Sequence, residues 1–248
     1  MENKNKEEKV YYESPPGKVF ELVRGGELHR LFMLEEKLNG FHPAARVVVF
    51  DSLGTIQGYE GAEPGKHKEF YLQKVAEEHG MSVEEMLGNV PAETYLQWTA
   101  EMIRDKKLIP KALPGAEKKI YEIREEGFRP IIITADIPEG AELTSRLFVE
   151  SGLINQEDVH GIIELGSKTD PQTWRKAKEL HFPQGLVNIV YEDTPQNLGA
   201  AIRAFSVRDG FDPVRNIRLR EYSPVAYLVT ENEEGIVIQR RYVDVFGP

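Results

Sequence analysis

Four separated groups of side chains in this 248-residue chain are of the types that do chemistry together. Asp51 closes the run Arg46-Val-Val-Val-Phe50 and is followed by Ser52-Leu53-Gly54-Thr55. Thr134 closes Ile131-Ile-Ile, Lys168 follows Gly166-Ser167, and Glu192-Asp193 follows Leu186-Val-Asn-Ile-Val-Tyr191. They amount to one carboxylate that could serve as a nucleophile, one hydroxyl, one ammonium and one acidic pair. Each type is ordinary by itself: an Asp can merely close a strand turn, a Thr can cap one, and most lysines are solvated. What gives them weight is the kind of element each one ends.

An unbroken β-branched run such as 46–50 reads as a strand buried on both faces of a parallel sheet. Ile131–Thr134 and Leu186–Val190 have the same character, and 159–165 reads as a further strand. Amphipathic helices fall between them. One carries Ala116, Ile120 and Ile123 and stops at Gly127; a second carries Leu143 and Leu147 and ends at Gly152. Asp170-Pro171 opens a third with Trp174, Ala177 and Leu180, and Thr194-Pro195 a fourth with Leu198, Ile202 and Phe205. Strands alternating with helices give a parallel sheet with right-handed crossovers, and such sheets gather ligands at the carboxyl ends of their strands. Asp51, Thr134, Lys168 and Glu192-Asp193 therefore share one rim. Lys66 to Arg104 is helical in pattern, with a capping box at Ser82-Val-Glu-Glu85 and an apolar stripe of Tyr95, Trp98 and Met102. Residues 1–9 read as a polar tail, Val10–Glu13 and Lys18–Val23 as short strands, Glu27–Leu38 as a helix, and Val225–Thr230 with Ile236–Tyr242 as a hairpin around Glu231–Gly235.

The order of these motifs resembles the haloacid dehalogenase superfamily: a strand-terminal Asp with a Gly-Thr turn, a strand-terminal Thr, a Lys, then an acidic pair, over roughly residues 46–206. The resemblance implies a three-layer, Rossmann-like parallel α/β core at 46–57 and 112–221 and an inserted small helical cap at 58–111. An N-terminal extension at 1–45 and a C-terminal β-hairpin at 222–248 complete the division. It implies that Asp51 attacks a phosphorus or carbon centre to form a covalent intermediate, that Thr134 bonds a phosphoryl oxygen, and that Lys168 neutralises the nucleophile and developing charge. Asp193 would hold Mg²⁺ with Asp51 and the Leu53 backbone carbonyl; Glu192 is either an additional ligand or a solvated loop acid.

The sequence departs from the phosphatase pattern at Leu53, where a second Asp usually protonates the leaving oxygen. Leucine has no proton to give, so about 10²–10⁴-fold of acid–base assistance must come from elsewhere or be lost. Asp136, Glu60 and His67 are the candidate substitutes. The expectation is an Mg²⁺-dependent, attenuated phosphatase-like hydrolase of a small phosphorylated molecule. Two alternatives stay open: a 2-haloacid dehalogenase-like enzyme, for which Arg104 is the available halide ligand, or a silent descendant serving as a binding or interaction module. In the cap, Tyr95 and Trp98 either contact the leaving group or form the cap's own core.

Composition narrows the partners. With 31 Lys+Arg against 41 Asp+Glu the formal charge is −10, which opposes a broad footprint on nucleic acid or anionic lipid. Zero cysteines removes disulfides, thiolate nucleophiles and cysteine metal sites together. No run of 18 apolar residues exists, and the polar start lacks the pattern of a secretory signal, so a cytosolic protein is expected. His29, His42, His67, His79, His160 and His181 show no metal-ligand spacing.

Overall fold

The computed structural model describes residues 10–14, 18–22, 46–183, 185–212 and 217–242. The polar tail expected over 1–9 and the helix expected over 27–38 lie outside them. Strands β1 (Val10–Ser14) and β2 (Lys18–Leu22) pair antiparallel. Strand β3 (Arg46–Phe50) is buried along its whole length, with Val47, Val48 and Val49 at 0% exposure. Strand β4 (Gln57–Tyr59) begins an excursion of three helices, α1 (His67–Glu78), α2 (Val83–Asn89) and α3 (Ala92–Arg104), closed by β5 (Pro110–Ala112), which pairs antiparallel with β4. Ser82 caps α2 as expected: its hydroxyl accepts from Glu85 N–H at 3.1 Å, and the Glu85 carboxylate accepts from Ser82 N–H at 2.8 Å.

The chain then alternates: α4 (Ala116–Glu125), β6 (Arg129–Thr134), α5 (Pro138–Glu150), β7 (Val159–Gly161), α6 (Pro171–His181), β8 (Leu186–Glu192) and α7 (Pro195–Phe205). The strand expected over 159–165 is shorter, because the chain turns into a 3-10 helix at Ile163–Leu165. Gly161 lies against the backbone of Ile137, 2.5 Å from where a Cβ would sit. Strands β9 (Val207–Asp212) and β10 (Ile217–Tyr222) form a separate antiparallel pair, and β11 (Val225–Glu231) and β12 (Val237–Tyr242) form the expected hairpin.

The main sheet runs β1-β2-β12-β11-β8-β3-β6-β7. Its five strands from β11 to β7 are parallel, and β12 and β2 pair antiparallel at the other side. The C-terminal hairpin thus extends the sheet, since β11 pairs directly with β8. Side chains alternate between two layers, as the period of two requires. Val47, Val49, Ile131 and Ile133 pack under α6 and α7 with Trp174, Leu198 and Phe205; Val48, Phe50 and Ile132 pack under α4 and α5 with Ile120 and Phe148. A register shift opposite Val47 and Val48 places Asn188 as an extra residue in β8. Helices on both faces of the sheet make the three-layer α/β arrangement. The three-helix excursion has its own core of Tyr59, Tyr71, Val75, Met86 and Met102, and joins α5 through Leu96, Ala100, Ile137 and Leu143. Among the described residues, no helix is long and apolar enough to cross a membrane.

Candidate active site

In chain order the parallel strands are β3, β6, β7, β8 and β11, while in the sheet β3 lies between β6 and β8. The direction of winding therefore reverses at the β3–β8 boundary, where open sheets leave a crevice. Asp51 leaves β3 there, tied by its N–H to the Tyr191 carbonyl at 2.8 Å. Glu192 and Asp193 leave β8 beside it.

The centre of the site is Lys168, which is 4% exposed. Its Nζ lies 2.5 Å from Asp51 Oδ1 and 2.5 Å from Glu192 Oε2, and it donates to the Ile133 carbonyl at 3.3 Å. The Trp174 indole N–H holds the Lys168 carbonyl at 2.7 Å, so a residue of the α6–α7 layer fixes the lysine's backbone. Glu192 is fully buried, and its Oε1 accepts from Thr194 N–H at 3.2 Å and Asn197 Nδ2 at 3.3 Å. Of the two roles open to it, the solvated loop acid is excluded. Asp193 accepts from the Thr194 hydroxyl at 3.0 Å. Gly54, at φ +83°, makes room for it: a Cβ there would stand 2.5 Å from Asp193 Oδ2.

Oxygens of Asp51, Glu192 and Asp193 lie within 4.8 Å of one another. Burial raises Asp51 to about 6, with the Glu192 charge adding and Lys168 opposing. Burial likewise raises Glu192 to about 7 against the pull of Lys168, and lifts Asp193, with the Asp51 charge adding. Burial works against the charge on Lys168, but Asp51 and Glu192 hold the ammonium above its ordinary range. Three carboxylates facing one ammonium leave two formal negative charges, so the donor set fits a hard divalent cation bound by oxygen.

A cavity of about 210 Å³ opens above this cluster. Asp51, Thr134, Lys168 and Asp193 line its floor, and Tyr59, Tyr71, Tyr95 and Thr99 from the helical excursion line its roof. The five residues expected at one rim are therefore brought together: four meet the cavity and Glu192 lies behind Lys168. The Leu53 side chain turns toward the apolar core of the excursion. Of the three candidate acids, Asp136 lines the cavity, Glu60 is exposed, and His67 is committed elsewhere, its Nε2 2.8 Å from Glu231 Oε2. Arg104 pairs with Glu139 at 3.2 Å outside this cavity, so it is not placed to hold a halide. Tyr95 meets the cavity; Trp98 packs in the excursion's core and stacks on His79 at 3.8 Å. The sequence reading missed Tyr59 and Tyr71. Tyr71 lies four residues before Val75 on α1, so its spacing carries only a core signal.

No protein-family model matches the sequence, and none of the curated proteins compared with it does. Solved structures do resemble it. A HAD hydrolase, family IA, variant 3, from Entamoeba histolytica is 14% identical and covers 64% of this chain and 80% of its own, with a TM-score of 0.45. CbbY from Rhodobacter sphaeroides, in complex with phosphate, is 16% identical over 64% and 81%, with a TM-score of 0.44. A HAD family hydrolase from Deinococcus radiodurans R1, with bound phosphate and sodium, is 17% identical over 64% and 76%, with a TM-score of 0.40.

Proposed function

We propose that this chain is a haloacid dehalogenase-like hydrolase that releases phosphate from a small phosphorylated molecule through an intermediate on Asp51. The reading is carried by one observation: a buried lysine ion-paired with both Asp51 and Glu192, beside Asp193, at the point where the sheet's winding reverses. Mg²⁺ fits the oxygen donors as the cation, held by Asp51 and Asp193 with the Leu53 backbone carbonyl. Bound there, it supplies a Lewis acid that offsets charge on the phosphoryl oxygens.

The side chains then divide the work. Lys168 occupies Asp51 Oδ1 and keeps the carboxylate ionised, which leaves Oδ2 to attack phosphorus in line with the departing oxygen. The Thr134 hydroxyl and the Lys168 ammonium stabilise negative charge as it grows on the phosphoryl oxygens. Glu192 fixes Lys168 and needs no contact with substrate. The tyrosine roof excludes water from the attack and bounds the size of the leaving group.

The test is phosphate release from an aryl phosphate by the full chain with Mg²⁺. Asp51→Asn should lower the rate at least about 10³-fold, and removal of Mg²⁺ by EDTA should abolish it. Equal rates for the variant and the wild-type protein would end this reading.

A further inference from the structure

We propose that Asp136 supplies the proton that Leu53 cannot, and that the site is thereby suited to phosphate monoesters of small alkyl alcohols, whose leaving oxygen needs protonation. The proposal rests on the aspartyl-phosphate reading above. In the first step the Asp51 oxygen bonds to phosphorus and the bond from phosphorus to the alkyl oxygen breaks. The departing electron pair takes the Asp136 proton, giving a neutral alcohol and an ionised Asp136. In the second step Asp136 removes a proton from water as the water oxygen bonds to phosphorus. The bond to Asp51 breaks, its electron pair returns to the Asp51 carboxylate, and Asp136 is left protonated for the next turnover.

Position comes first. Asp136 stands two residues beyond Thr134, where the chain leaves β6 and enters the cavity that holds Asp51. Among the described residues lining that cavity, the carboxyl groups are Asp51, Asp136 and Asp193, and the first and last are already committed. The Asp136 side chain is held in place: its Oδ1 accepts from Ile137 N–H at 2.7 Å, and its backbone carbonyl accepts from Ile163 N–H at 3.2 Å. Gly140 in the first turn of α5 provides the space, because any Cβ there would collide with the Asp136 carboxylate. Oδ2 remains to carry the proton.

The surroundings suit a group that gives a proton and takes it back. Burial raises Asp136 to about 7, with only the Ile137 N–H drawing it down. An acid with a pKa near working pH serves both half-reactions. Tyr59 from β4, and Tyr71 and Tyr95 from α1 and α3, face it; burial holds all three phenols above their ordinary range, aided next by the Asp136 charge for Tyr59 and Tyr95 and, for Tyr71, by Tyr95 and then Asp136. They stay neutral near pH 7 and cannot replace it as a base. Lys68 of α1 lines the same cavity, as do Lys168, Asp51 and Asp193 on its floor, and Glu139 of α5 is exposed beside it.

The experiment compares two esters in one preparation of Mg²⁺-loaded full-length protein: p-nitrophenyl phosphate, whose leaving group departs without a proton, and ethyl phosphate, whose leaving group does not. In a single turnover, which reads only the first step, Asp136→Asn and Asp136→Leu should each slow ethanol release from ethyl phosphate by about 10²–10⁴-fold while changing p-nitrophenol release by no more than about threefold. Steady-state turnover of both esters should fall, because the second step has lost its base. The ratio of the two rates is independent of how much of a variant is folded. In the wild-type protein the ethyl ester should also lose rate as pH rises through about 7, a limb absent from the variants. An unchanged ratio in both variants overturns the role of Asp136 while leaving the Asp51 reading intact. Wild-type protein that hydrolyses neither ester, or an Asp51→Asn variant that hydrolyses both, overturns the two together.

Discussion

At position 54 one missing methyl group decides whether two carboxylates can share a site. Gly54 is left-handed and a Cβ would meet Asp193 Oδ2 at 2.5 Å, so Gly54→Ala brings both backbone strain and a displaced Asp193. Strain of this kind costs about 1–3 kcal/mol. The variant should show that loss in urea unfolding and should need a higher Mg²⁺ concentration for half-maximal phosphate release; an unchanged Mg²⁺ titration would detach Asp193 from the cation. Asp51, Thr134 and Asp193 were legible in the sequence because each follows a strand with an unmistakable hydrophobic run, whereas Lys168, in the loop after the Ile163–Leu165 turn, was legible only through its place in the motif order. The role of Glu192 was not, because an acid after a strand looks the same whether water or a buried ammonium balances it. Tyr59 was illegible for a related reason: nothing in a three-residue strand tells which aromatic faces a cavity.

Elements can respond to pH apart from the site. His160 on β7 stacks on His181 at the end of α6, with ring centroids 3.9 Å apart. Burial, then the His181 and Arg129 charges, lower His160 to about 4, and burial also lowers His181. The unfolded chain binds these protons first, so the contribution to stability is complete above about 6.5 and is lost as pH falls toward about 4. Urea unfolding across that window should show stability rising with pH more steeply in the wild-type protein than in His160→Phe. Parallel slopes would mean that the stacked pair does not titrate with folding. The alternation of strands and helices was readable here, since both faces of β3, β6 and β8 are apolar. The shortening of β7 was not, because what ends it is the close approach of Gly161 to the Ile137 backbone, a tertiary contact between segments more than twenty residues apart.

Across the whole molecule, one residue of the C-terminal hairpin reaches the root of the helical excursion. Glu231 Oε2 accepts from Gly65 N–H at 2.8 Å and lies 2.8 Å from His67 Nε2, while His67 Nδ1 accepts from Tyr59 N–H at 3.3 Å. That chain of contacts ends on a wall of the cavity. Glu231→Ala should cost about 1–3 kcal/mol, the penalty for leaving the buried His67 ring N–H unmatched, and should quicken proteolysis within residues 61–66. Identical digestion patterns would show that the root holds without Glu231. The extra residue at Asn188 reaches further than its size suggests. It restarts the up-and-down sequence of β8, so that Val187 and Val190 fall in one layer and Ile189 and Tyr191 in the other. Glu192 is next in that count and so arrives on the side where Lys168 waits. Were Asn188 drawn into the ladder as an ordinary strand residue, every residue after it would change sides, turning an aromatic toward the wrong helices and an acid away from its counterion; the frame of one strand is thus a condition for the chemistry at its tip.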